Sequence, residues 1–153
     1  VFTVSQAKPW IAIRVDASAK IGTGHFYRCK ALADAMMDRG FMVRYFMRHS
    51  MANLPVSQYA DIVQLRQRLT SVYGDEYADF LGVSQELDAQ DFLSACEIYG
   101  EPDLILIDHY GIDLEWEQVV SAVLPHAQIA VIDDLKRDML YAIQKVETHS
   151  LIA

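Results

Sequence analysis

Basic residues are scarce in this sequence: 13 Lys and Arg stand against 21 Asp and Glu, for a formal net charge of −8. A domain that grips a phosphate backbone usually carries a basic face, so nucleic acid is not an expected partner. Cysteine is scarcer still. Cys29 and Cys96 stand far apart without metal-ligand spacing, and they read as reduced thiols of a cytoplasmic protein rather than as a disulfide framework. No uninterrupted apolar run approaches the roughly 20 residues that a membrane-spanning helix needs, so no membrane association is expected. The stretch before Trp10 is short and polar, without the apolar centre of a signal peptide. The first residue is Val1 rather than Met, which fits a processed chain or a piece of a longer one. Repeats, low-complexity tracts and internal linkers are also missing, which leaves one main domain.

What is present is an alternation of strand and helix patterns. About half of the residues are apolar (52%), enough for a sizeable core. Buried strands are expected at 10–15, 41–47, 104–107 and 128–132, with a shorter apolar segment at 61–65. Helical spacing covers 26–39, 73–81, 88–99 and 114–123. Gly40, the Gly100-Glu-Pro-Asp103 break and Pro125 act as stops. The segment 50–57, with Pro55, reads as a loop or short helix. Met36, Met37, Met42 and Met47 read as core packing. Strands alternating with helices imply an α/β, Rossmann-like open sheet, mainly parallel, with flanking helices. The expected division is an N-terminal extension over 1–9, the Rossmann-like domain over 10–135, and a polar, helix-compatible tail over 136–153.

Three polar constellations follow strands. The first is Gly22-Thr23-Gly24-His25, between the first strand and first helix. Glycines there permit positive φ and close approach of a ligand, and the helix start offers N–H groups and a partial positive charge. An imidazole at that point is a candidate general base, and equally a helix-capping residue of a tight turn. The dinucleotide fingerprint fails, because Tyr27 occupies its third glycine position, and no P-loop is present. Asp16 and Ser18 lie at the same sheet edge, as ligand contacts, as a support for His25, or as turn caps. Arg28 and Lys30 read either as ligand-facing or as solvated helix charges.

The second constellation is Asp108-His109-Tyr110-Gly111, directly after the strand at 104–107. Its side chains are candidates to bind a sugar or phosphate, or to orient His25. Glu115 and Glu117, in the helix that follows, are expected to face solvent. The third is Asp133-Asp134. Paired carboxylates suit a divalent cation or acid–base work, but nothing nearby supplies further ligands, so neither a metal nor a cofactor is expected. His49, His126 and His149 are isolated and read as structural or exposed.

Taken together, Asp16-Ala-Ser-Ala-Lys-Ile-Gly-Thr-Gly-His25 with Arg28-Cys29, then Ile107-Asp-His-Tyr-Gly111, then Ile132-Asp-Asp-Leu135, resemble the nucleotide-sugar hydrolases of pseudaminic acid biosynthesis. The resemblance runs from about Ile11 to Leu135. It implies the N-terminal domain of a two-domain GT-B architecture. It also implies a UDP-linked diacetamido-trideoxyhexose as substrate, and hydrolysis with inversion by water that His25 activates, without a metal. Asp16 and Tyr110 would then stand in or beside the sugar pocket. Residues 136–153 depart from the family pattern, and the second domain that would hold most of the nucleotide is missing from this sequence. Weak or absent activity is therefore expected of this chain alone. The alternatives are a glycosyltransferase of similar fold, a non-catalytic remnant or binding module, and a flavodoxin-like or receiver domain.

Overall fold

Six consecutive buried residues, Trp10–Val15, form β1 at the centre of the sheet. In a computed structural model of the chain, residues 8–69 and 76–133 are described. The elements that follow are α1 (Gly24–Asp38), β2 (Met42–Met47), β3 (Ala60–Gln64), α2 (Glu76–Leu81), α3 (Gln85–Cys96), β4 (Leu104–Asp108), α4 (Leu114–Val123) and β5 (Gln128–Val131). The five strands are all parallel, in the order β3-β2-β1-β4-β5.

The period of two along β1 sorts its side chains between two cores. Ile11, Ile13 and Val15 pack with Phe26, Cys29 and Ala33 of α1. Trp10 and Ala12 pack on the other face with Phe92 of α3 and Trp116 of α4. Arg14 shares that second face, and it meets Asp88 of α3 there. The result is three layers, with α1 on one side of the sheet and the α3–α4 pair on the other.

Element boundaries follow from capping. Helix α1 begins at Gly24, because the Thr23 carbonyl accepts the Tyr27 N–H at 3.0 Å. Helix α3 begins three residues earlier than the expected 88, because the Ser84 hydroxyl accepts the Leu87 N–H at 3.1 Å. Segment 50–57 is a loop, and β2 passes to β3 without a helix. Met47 is buried and Met36 and Met37 pack against the α1-side core, whereas Met42 is exposed at the start of β2. The first part of the expected helix at 73–81 lies outside the described residues, as do Asp134 and the tail at 136–153. No described helix is long and apolar enough to cross a membrane.

The strand order places β1 beside both β2 and β4. The crossover direction therefore reverses between β1 and β4, and the loops leaving their carboxyl ends diverge to opposite faces. Such a reversal opens a crevice, the usual ligand position in open α/β sheets.

Candidate functional site

Two of the three constellations meet in that crevice. His25, in the first turn of α1, points its Nδ1 at Asp108 Oδ1 of β4 at 2.6 Å. Arg28, one turn further along α1, grips the same carboxylate twice. Its Nε donates to Oδ2 at 2.6 Å and its NH2 nitrogen donates to Oδ1 at 2.6 Å. Asp108 is almost wholly buried, while the His25 side chain keeps 12% of its exposure. Tyr110 closes one side, its ring edge-on to the imidazole at 4.6 Å between centroids. Tyr77 of α2 stands behind Tyr110 at 5.5 Å.

The hydrogen bonds fix the imidazole's orientation and tautomer. A carboxylate oxygen is an acceptor only, so the 2.6 Å contact requires a proton on Nδ1. That leaves Nε2 with the basic lone pair. The Arg28 NH2 nitrogen lies 3.1 Å from Nδ1, and this is a donor-to-donor contact, not a hydrogen bond, in that tautomer. The Cys29 thiol also leans on Asp108, at 3.8 Å. Burial first, and then the Asp108 carboxylate, push that thiol well above its ordinary value, so Cys29 is no nucleophile here.

A second cluster lies beneath the first on the α3 side. Asp16 is fully buried and does not reach His25. Its carboxylate takes Arg14 at 2.7 Å and His109 Nε2 at 2.7 Å, and it accepts the backbone N–H groups of Arg48 and His49. The Gly111 N–H donates to His109 Nδ1 at 2.9 Å, so both ring nitrogens of His109 are committed. Arg14 reaches on to Asp88, which also receives Arg48 and the Trp116 indole. Arg48 and Arg68 then share Asp91. Three arginines thus face three aspartates. Burial opposes the charge on Asp16, but Arg14 and then His109 outweigh it and hold the carboxyl well below the usual range. Burial likewise opposes Asp88, and Arg14 leads the groups that lower it. Arg14 is raised, because its two carboxylates outweigh its own burial.

The remaining candidates divide by position. Gly22 has a φ of +84° and its N–H closes the Ser18–Gly22 loop onto the Ser18 carbonyl, while the Ser18 hydroxyl accepts the Ile21 N–H. Gly24 starts α1 in open space with no positive φ. Gly111 answers to packing: a Cβ there would stand 2.7 Å from the Tyr77 carbonyl oxygen and 2.8 Å from Leu81 Cβ. Asp133 is buried at the end of β5. Arg28 is an Asp108 partner rather than a solvated helix charge. His49 is not isolated, since its Nε2 meets the Leu81 carbonyl at 3.0 Å. Glu117 is buried rather than solvent-facing, because it adjoins Trp116 on the packed side of α4.

Arg48, Asp88 and Asp91 were not legible as site supports. The one sequence sign was Arg14, a charge inside an otherwise apolar strand, which in a buried position demands a partner.

The fold and the crevice define a class: an α/β domain of the Rossmann-like kind, with a five-stranded, all-parallel sheet flanked by helices. No family model matches the chain, and no curated protein matches it. Among solved structures it is similar to the crystal structure of TcCGT1 in complex with UDP. The TM-score is 0.52 at 10% identity, over 85% of this chain and 29% of that one. At that identity the likeness concerns the fold alone.

Proposed function

We propose that this chain carries the catalytic-base half of an enzyme that hydrolyses a UDP-linked diacetamido-trideoxyhexose to free sugar and UDP. The observation that carries the reading is the 2.6 Å His25–Asp108 bond in the β1–β4 crevice, which leaves Nε2 as the base. In the proposed step, Nε2 takes a proton from water as the water oxygen bonds to the anomeric carbon. The bond from that carbon to the diphosphate oxygen breaks, with its electron pair leaving on UDP, and the anomeric centre inverts. Asp108 stabilises the imidazolium through Nδ1–H. A diphosphate leaves readily, so positioning and a base supply much of what the reaction needs. The grip on UDP comes, in this reading, from a second Rossmann-like domain outside residues 10–135. A glycosyltransferase is the second reading, with an acceptor hydroxyl in place of water; the likeness to a UDP-bound structure favours neither over the other.

The test separates sugar from nucleotide. UDP-2,4-diacetamido-2,4,6-trideoxy-β-L-altropyranose added to the purified chain should shift the NMR signals of His25 and Tyr110, while UDP alone should not. Equal shifts with UDP alone, or none with either, overturn the reading. Where the chain is joined to a UDP-binding domain, His25→Ala should lower turnover by about 10²–10⁴-fold with little change in UDP binding. Free sugar as product supports hydrolysis, and a glycoside supports transfer.

A further inference from the structure

We propose that Arg28 is a positioning residue for His25: by clamping Asp108 it holds the imidazole with its proton on Nδ1 and its lone pair on Nε2. The sequence offered Arg28 as a ligand contact or a solvated charge, and the structure commits its fork to a buried carboxylate instead. Both carboxylate oxygens are engaged by Arg28, at 2.6 Å each, so the Asp108 plane cannot turn. Oδ1 is thereby presented to Nδ1 along a fixed line. A bidentate guanidinium–carboxylate pair is the geometry that provides this.

Charge makes the second part of the argument. Asp108 is almost wholly buried, and a buried carboxylate stays ionised only with a cationic or strongly donating partner. With Arg28 in place, that demand is met without His25 becoming an imidazolium. Without it, the carboxylate would draw the second ring proton onto His25 and remove the base. Among the described residues, the groups that face His25 are Asp108 from β4, Arg28 and Cys29 from α1, and Tyr110 from the loop after β4, with Tyr77 of α2 behind it. Asp108 is the anion among them and Arg28 the permanent cation.

This inference rests on His25 being the base, but its test needs no substrate. The full chain, labelled with ¹³C and ¹⁵N in histidine, is titrated by NMR over about pH 5–9. The His25 signal is assigned by its loss in His25→Gln. The expected high-pH form is the Nδ1–H tautomer, and an Nε2–H tautomer overturns the proposal. In Arg28→Gln the titration midpoint should move up by about one unit or more, a tenfold change in proton affinity. An unchanged midpoint and tautomer, in a variant with a native amide fingerprint, also overturn it. Should that variant not fold, Arg28→Lys keeps the charge and loses the fork. A mixture of tautomers is then expected, and a pure Nδ1–H form counts against the clamp. Turnover with the wrong tautomer would defeat this inference alone. The stated tautomer in a chain whose site ignores the sugar would defeat the proposed function alone.

Discussion

Arg14 is the residue on which the crevice depends most. It lies wholly buried in the central strand, and its guanidinium joins Asp16, which ties the loops after β1 and β2, to Asp88 of α3. A buried ion pair contributes less than its Coulomb energy suggests, because both charges lose their water. Breaking one is a different matter, since the surviving carboxylates keep the desolvation cost and lose the partner. Arg14→Leu should therefore lower unfolding free energy by about 3–5 kcal/mol, read from urea denaturation. A loss within the usual ±0.5 kcal/mol of a surface substitution would mean that Arg48 alone satisfies Asp88. At this scale the sequence was half legible. His25 showed as a histidine beside glycines, whereas Arg14 passed unremarked inside the strand expected at 10–15. Asp88 and Asp91 gave no sign, because their partners are strand-end arginines as much as 74 residues away in sequence.

Among the elements, α3 is the one that positions charge. Its start is fixed by the Ser84 hydroxyl on the Leu87 N–H, one residue before Asp88. Ser84→Ala should cost about 1 kcal/mol in thermal or urea unfolding, as for other helix N-caps. No loss would show that α3 is held by its packing against α4 alone. Strands β1 and β4 were readable in advance because burial on both faces makes a continuous apolar run, which polar loops then bound. Helix α1 was readable from its period. The expected helix at 73–81 contains α2, but what packs around it was not readable, nor was the burial of Glu117, since neither shows in its own pattern. Gly111 belongs with these: it was read as a ligand-side glycine, and its close neighbours are the Tyr77 carbonyl and Leu81 of α2.

For the whole molecule, the buried aspartates set the response to acid. Asp16, Asp88 and Asp91 are all held below their ordinary values in the folded state. For Asp91 the Arg68 hydrogen bond is the leading cause. A carboxyl lowered on folding binds fewer protons folded than unfolded, so its stabilisation is complete above the unfolded value of about 4 and is lost as pH falls below it. The melting temperature should accordingly be flat toward neutral pH and drop steeply below about pH 4. A flat curve through that range would show that the cluster contributes little net stability.

The parallel topology has one more consequence, and it concerns time. His25 and Asp108 are 83 residues apart, and His109 finds Asp16 across 93. The central β1–β4 pairing spans the same distance, joining Ile11 to Leu104. Nothing local can assemble this crevice; a long loop must close first, and such non-local pairings form slowly. As the chain leaves the ribosome, β1, α1 and β2 emerge long before β4, so His25 is made without its carboxylate. The His25–Asp108 pair forms only when β4 slots in beside β1, and folding of the centre of the sheet and assembly of the crevice are one event.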